Sequence, residues 1–140
     1  LLLRKFADSL SSNYAYVVMD NEAGMEHLSR RTTQNIDALL VVSNYSVKGI
    51  RTVARIQELV SELRLTVKKQ FVIIDFAPDE LAPLFKEELT RLGIEPTALI
   101  PEDEEIRQYD LELKPLLELS DTSKSVKVVD ALMAEILNGN

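Results

Sequence analysis

The sequence has no cysteine, no tryptophan, one histidine and four glycines among its 140 residues, and no apolar run approaching the ~20 residues that a membrane helix needs. Without cysteine there is no disulfide framework and no thiolate metal site, which fits the cytoplasm. The lone histidine, His27, stands beside Glu22 and Glu26, and that set falls short of the ligands a transition metal demands. Basic clusters are scarce as well. The formal net charge is −7, and the only adjacent basic pairs are Arg4-Lys5, Arg30-Arg31 and Lys68-Lys69, so nucleic acid is not an expected partner. No charged start followed by a cleavage site is seen, and integral membrane association is not expected. No Ser/His/Asp set with workable spacing supports hydrolysis by a nucleophile.

What is present is a chain with 46% apolar residues, enough for one packed core. It opens on Leu1-Leu2-Leu3-Arg4 without an initiator methionine, with Leu2, Leu3, Phe6 and Leu10 at helical spacing, and is expected to be a portion of a longer protein. Short β-rich runs alternate with helix-period stretches along nearly the whole length, which predicts βαβ units in one domain, or part of one, over 1–140. Tyr14 to Met19 reads as a buried strand ending at Asp20, and Ala38 to Ser43 as the next. Between Lys48 and Arg64 the apolar residues Ile50, Val53, Ile56, Leu59, Val60 and Leu63 recur at steps of three and four, the mark of an amphipathic helix.

A strand from Phe71 to Phe76 follows. Pro78 is then expected to start a helix whose inward face is Leu81, Leu84, Phe85, Leu89 and Leu92, stopped by Gly93. Thr97 to Ile100 reads as a strand and Ile106 to Tyr109 as a short helix. The last helix, Ser123 to Leu137, is expected to bury Val126, Val129, Leu132, Met133 and Ile136. Helices between successive strands imply an α/β fold, a parallel β-sheet flanked by helices on both faces, with ligands beyond the carboxyl ends of the strands. Those ends are Asp20 to Gly24, Asn44 to Ser46, Asp75 to Pro78 and Pro101 to Asp103.

The most informative loop is Asp20-Asn21-Glu22-Ala23-Gly24. A strand delivering an aspartate, with a glycine four residues later, is the arrangement by which P-loop ATPases hold Mg²⁺ and sense the terminal phosphate. The continuation Met25-Glu26-His27-Leu28-Ser29-Arg30 makes the segment resemble switch II of the deviant-Walker ATPases, the MinD, ParA and nitrogenase iron protein class. Within that class it looks most like the CooC-type accessory ATPases for nickel insertion into carbon monoxide dehydrogenase. Val41-Val42-Ser43-Asn44, Ile100-Pro101-Glu102-Asp103 and Pro115-Leu116-Leu117-Glu118-Leu119 are similar to later segments of the family, the last two to its adenine-side loop and the helix after it.

The resemblance implies a SIMIBI-type P-loop NTPase fold and an ATP-dependent homodimeric switch with ATP and Mg²⁺ as cofactors and carbon monoxide dehydrogenase as client. It implies that Asp20 serves Mg²⁺ through water, that Gly24 approaches the γ-phosphate, and that Asp75, Pro101, Glu102 and Asp103 line the adenine pocket, the last three chiefly through backbone atoms. This sequence also departs from the pattern. None of Gly24, Gly49, Gly93 or Gly139 belongs to a phosphate-cradling loop ending in Gly-Lys-Ser/Thr, so this chain alone is expected to be inactive and to bind no cofactor. The family's nickel-binding cysteine pair has no counterpart here. Asp75 stands where the family places an asparagine, and a carboxylate accepts from an amino group but cannot donate to a ring nitrogen. The alternative reading is a regulatory or interaction domain that keeps the fold without nucleotide binding.

Overall fold

The computed structural model describes residues 9–10, 12–21 and 35–138. In chain order these form β1 (Asn35–Asn44), α1 (Val47–Glu62), β2 (Thr66–Ala77), α2 (Pro83–Leu92), β3 (Ala98–Pro101), α3 (Glu104–Leu111), a 3-10 turn (Leu116–Glu118) and α4 (Lys124–Asn138). The strands make a parallel three-stranded sheet in the order β1-β2-β3, with Ile73 opposite Ala98 and Ile74 opposite Leu99. The chain divides into two compact units. One comprises Leu40–Ala54 with the residues from Gln70 onward, and the other comprises the residues up to Leu39 with Arg55–Lys69.

The core of the first of these is built on β2. Phe71, Val72, Ile73 and Ile74 are buried in succession, the pattern of a central strand covered on both faces. Val41 and Ser43 are buried on alternate positions of β1, and Ile50 and Val53 are buried on α1 at the helical spacing read from the sequence. Phe85 and Leu89 do the same for α2, and Leu132 for α4. Between Phe85 and Leu89 on the buried side of α2 lies Glu88, which accepts from Arg51 Nε at 2.7 Å and Arg91 Nε at 2.9 Å. Hydrogen bonds from Arg91 first, then Arg51, lower its carboxyl from 4.5 to about 2, and the Arg51 contact ties α2 to α1. In the other unit Val60 is buried, Lys68 Nζ lies 2.6 Å from Asp37, and Arg55 pairs with Glu58 and Glu62.

Several expectations are corrected. Tyr14 to Met19 is not a strand: the segment has no regular secondary structure, and Val18 is 89% exposed. An apolar run becomes a buried strand only when a ladder partner takes its backbone, and no strand among the described residues pairs with it. Pro78 does not start α2. Pro83 does, with Ala82 as the cap residue and Phe85 N–H donating to the Ala82 carbonyl at 3.0 Å. A helix begun at Pro78 would carry Pro83 in its interior, where the missing N–H and the ring clash break it. The shifted start leaves Leu81 before the helix and turns Leu84 outward, 69% exposed. Val129 is likewise exposed on α4. Gly93 stops α2 as expected, at φ 66°, with the Ile94 N–H on the Leu89 carbonyl at 2.9 Å. The expected apolar helix start at Leu2 to Phe6 lies outside the described residues.

Candidate functional site

The carboxyl ends of β1, β2 and β3 carry three of the four loops singled out above. After β1, Ser46 caps α1: its Oγ accepts from Gly49 N–H at 2.9 Å and donates to Asn44 Oδ1 at 2.9 Å. The loop folds so tightly onto the helix that a Cβ on Gly49 would stand 2.2 Å from Ser43 Oγ, 2.8 Å from Asn44 Oδ1 and 2.9 Å from Ser46 Oγ. Relief of those contacts displaces the cap hydroxyl and the buried Ser43 together. Gly49→Ala is therefore expected to lower stability by about 1 kcal/mol net, since a lost cap and a displaced loop outweigh the ~1 kcal/mol that alanine gains in a helix. A reduced urea midpoint checks it; an increased one would show that the loop yields freely.

Tyr45 fastens this loop to its neighbours. Its N–H donates to the Asp75 carbonyl at 2.8 Å, its hydroxyl accepts from Ala82 N–H at 2.9 Å, and its ring lies 4.4 Å from that of Phe85. At the end of β2 the Asp75 carboxylate accepts from the Phe76 N–H at 2.8 Å. Ala77 faces Pro101 across the ladder, so Asp75 and Pro101 stand on the same rim.

Asp103 is the best-connected side chain in this region. Oδ1 accepts from Glu105 N–H at 2.9 Å, which caps α3. Oδ2 accepts from Ser123 Oγ at 2.6 Å and from Ser125 N–H at 3.1 Å, and Ser123 Oγ in turn accepts from Val126 N–H at 3.2 Å, which caps α4. Ser125 Oγ donates to the Pro101 carbonyl at 3.2 Å. One carboxylate thus serves two helix N-termini, and the Ser123 hydroxyl, ahead of the Ser125 and Glu105 amides, holds it down from 3.8 to about 2. Glu102 is exposed beside it. A depression of ≈ 400 Å³ opens here among Glu102, Glu104, Glu105, Thr122 and Lys124. Its four carboxylates, Asp103 included, outnumber the single cation Lys124, and so disfavour a phosphate chain by like charge.

Of the residues singled out in the sequence, Asp75, Pro101, Glu102 and Asp103 belong to this region. Asp20 is described only as an exposed residue of the 14–21 segment, and Gly24 and His27 lie outside the described residues. Among the described residues, no group of three or more His, Cys, Asp or Glu side chains could hold a metal ion, and no helix is long and apolar enough to cross a membrane. Sequence reasoning gives no separate role to Tyr45, Phe76, Ser123 or Ser125. A serine ahead of an apolar-periodic stretch is a legible cap signal for Ser123; its partnership with Asp103, twenty residues away, is not.

No protein-family model matches the chain. It is 37% identical over 136 residues to an uncharacterized ATP-binding protein of Methanocaldococcus jannaschii, across 97% of this chain and 54% of that protein. Among solved structures it superposes on a ParA family ATPase from Chlorobium tepidum with a TM-score of 0.75 and 20% identity, covering 98% of this chain and 55% of that one. The cell division ATPase MinD of Pyrococcus furiosus gives a TM-score of 0.73 and 19% identity, over 99% and 58%. The chain spans about half the length of the curated relatives it matches. It has the fold of the MinD and ParA ATPases, and its sequence relatives are ATP-binding proteins.

Proposed function

We propose that the chain is the C-terminal portion of a nucleotide-binding ATPase that works as an ATP-dependent homodimeric switch, and that it supplies the base-side wall of the nucleotide site. The observation that carries this reading is the common rim of β2 and β3, with Ala77 facing Pro101, in a fold shared with MinD and ParA. In parallel α/β sheets ligands lie beyond the carboxyl ends of the strands, where the backbone is turned toward the opening. The identity to an ATP-binding relative over nearly the whole chain supports a nucleotide as the ligand.

Within this reading Asp75 accepts from the amino group of the base, Pro101, Glu102 and Asp103 frame it, Gly24 approaches the γ-phosphate, and Asp20 orients Mg²⁺ through water. The phosphate cradle itself has to come from residues this sequence does not contain, because no glycine-rich loop ending in Gly-Lys-Ser/Thr occurs in it. Nickel delivery to carbon monoxide dehydrogenase is the proposed task, supported by the resemblance of Asp20 to Arg30 to the CooC-type switch segment.

Calorimetry of Mg·ATP binding to the full-length protein, beside an Asp20→Ala variant, tests the proposal. Binding by the unaltered protein is expected, weakened about tenfold or more in the variant, the worth of one charge-assisted contact. Equal affinities deny Asp20 its role, and no binding by the unaltered protein overturns the nucleotide reading.

A further inference from the structure

Three residues other than glycine have positive φ among those described: Arg64, Phe76 and Leu113. Two have an ordinary cause. Arg64 follows α1, where the Leu65 N–H reaches back to the Val60 carbonyl, and Leu113 follows α3, where the Lys114 N–H reaches back to Tyr109. Both close a helix in the left-handed turn that ends many helices. Phe76, at φ 55°, does not follow a helix; it lies near the end of a strand.

The ladder explains how it comes to be there. Ile74 pairs with Leu99, but the next pair is Ala77 with Pro101, so β2 spends three steps where β3 spends two. That extra residue is a bulge, which bends a strand and re-aims a side chain. The Asp75 carboxylate on the Phe76 N–H and the Tyr45 N–H on the Asp75 carbonyl hold the irregular backbone in place. Left-handed backbone is costly for a residue with a Cβ and costs glycine little. Burial does not repay Phe76 for it, because the residue is 58% exposed. A bulky aromatic ring held in an unfavourable conformation, with most of its surface in water, is costly unless something else covers it.

We propose that Phe76 is a base-stacking platform: its ring, turned outward by the bulge on the rim shared with Pro101, takes one face of the nucleotide's purine. The inference rests on the nucleotide reading above and adds to it a residue that sets affinity for the base. Stacking uses the π face that every base has, so the platform accepts guanine as well as adenine and leaves discrimination to the hydrogen-bonding groups.

The test is calorimetry on the full-length protein with Mg·ATP and with Mg·tripolyphosphate, which lacks a base, for the unaltered protein and for Phe76→Gly, Phe76→Ala and Phe76→Trp. Phe76→Gly relieves the backbone, so its thermal midpoint is expected to hold or rise and any loss of ATP affinity belongs to the ring. Expected are a loss of ATP affinity on the order of 5–100-fold in Phe76→Gly and Phe76→Ala, unchanged tripolyphosphate affinity, and recovery in Phe76→Trp with quenching of its indole emission by ATP. ATP affinity unchanged in Phe76→Gly, or equal loss for ATP and tripolyphosphate, overturns the stacking role while leaving the nucleotide reading intact. An unaltered protein that binds neither compound overturns both.

Discussion

Asp103→Ala is expected to lower the stability of the protein by about 2–4 kcal/mol, since one charged hydrogen-bond acceptor is worth about 1.5–3 kcal/mol and a helix cap about 1. Truncation removes the acceptor from Glu105 N–H, Ser125 N–H and Ser123 Oγ together, so α3 and α4 lose their shared cap in one step. Asp103→Asn is expected to fall between the unaltered protein and Asp103→Ala, because its carbonyl oxygen still caps one helix while its amide meets the other's donors. The sign of the pH effect follows from the carboxyl, which stands at about 2 in the folded protein against an ordinary 3.8. A depressed folded-state value gives stability that is complete above the unfolded value and is lost as pH falls toward 2. Urea midpoints measured from pH 6 down to pH 2 should therefore drop below about pH 4. Glu88, lowered from 4.5 to about 2, titrates in the same window, so the measurement to read is the difference between the two proteins. That difference shrinks toward acid if Asp103 is the shared cap; a gap constant with pH would mean that the loss in Asp103→Ala is one of packing.

Asp103 also marks how far the sequence could be read. The helices α1, α2 and α4 were legible, because they carry apolar residues at helical spacing and Gly93 is the residue a left-handed stop requires. The second half of β2 was legible because Phe71 to Ile74 is a continuous apolar run, which a central strand needs and a one-sided strand does not; its polar first half, from Thr66 to Gln70, was not. The same logic failed for Tyr14 to Met19, whose composition is equally strand-like. Composition expresses a preference for a pleated ladder, and a ladder needs a second strand that local sequence cannot supply. Of two prolines five residues apart, Pro78 and Pro83, only one can open α2, and periodicity alone does not choose between them. The site was half legible for a similar reason. Asp75 and Pro101 follow from where strands end, whereas the clasp of Asp103 on Ser123 and Ser125 and the turned-out ring of Phe76 depend on contacts across twenty residues and on a ladder irregularity.

Ile74→Ala is expected to have the largest effect on stability of any substitution considered, a loss of about 3–5 kcal/mol, within the range found when a fully buried large aliphatic side chain is cut to alanine. Ile74 is 0% exposed and is the last regularly paired residue of β2 before the bulge, with Leu99 opposite. Both faces of β2 are covered, so surrounding elements cannot collapse into the space without shifting the sheet, and the cavity term adds to the lost transfer energy. Against a total stability of about 5–15 kcal/mol for an ordinary domain, such a loss brings the chain close to unfolding. Ile74→Val, which removes one methyl group, should lose about 0.5–1.5 kcal/mol. Val42→Ala supplies the comparison: it is an aliphatic truncation in a neighbouring strand at a site 60% exposed, and should stay within about 0.5 kcal/mol. Urea midpoints of the four proteins, at equal slope, order the effects. Should Ile74→Ala prove no worse than Val42→Ala, the run from Phe71 to Ile74 would not be the core on which the rim of Asp75, Phe76 and Pro101 is mounted.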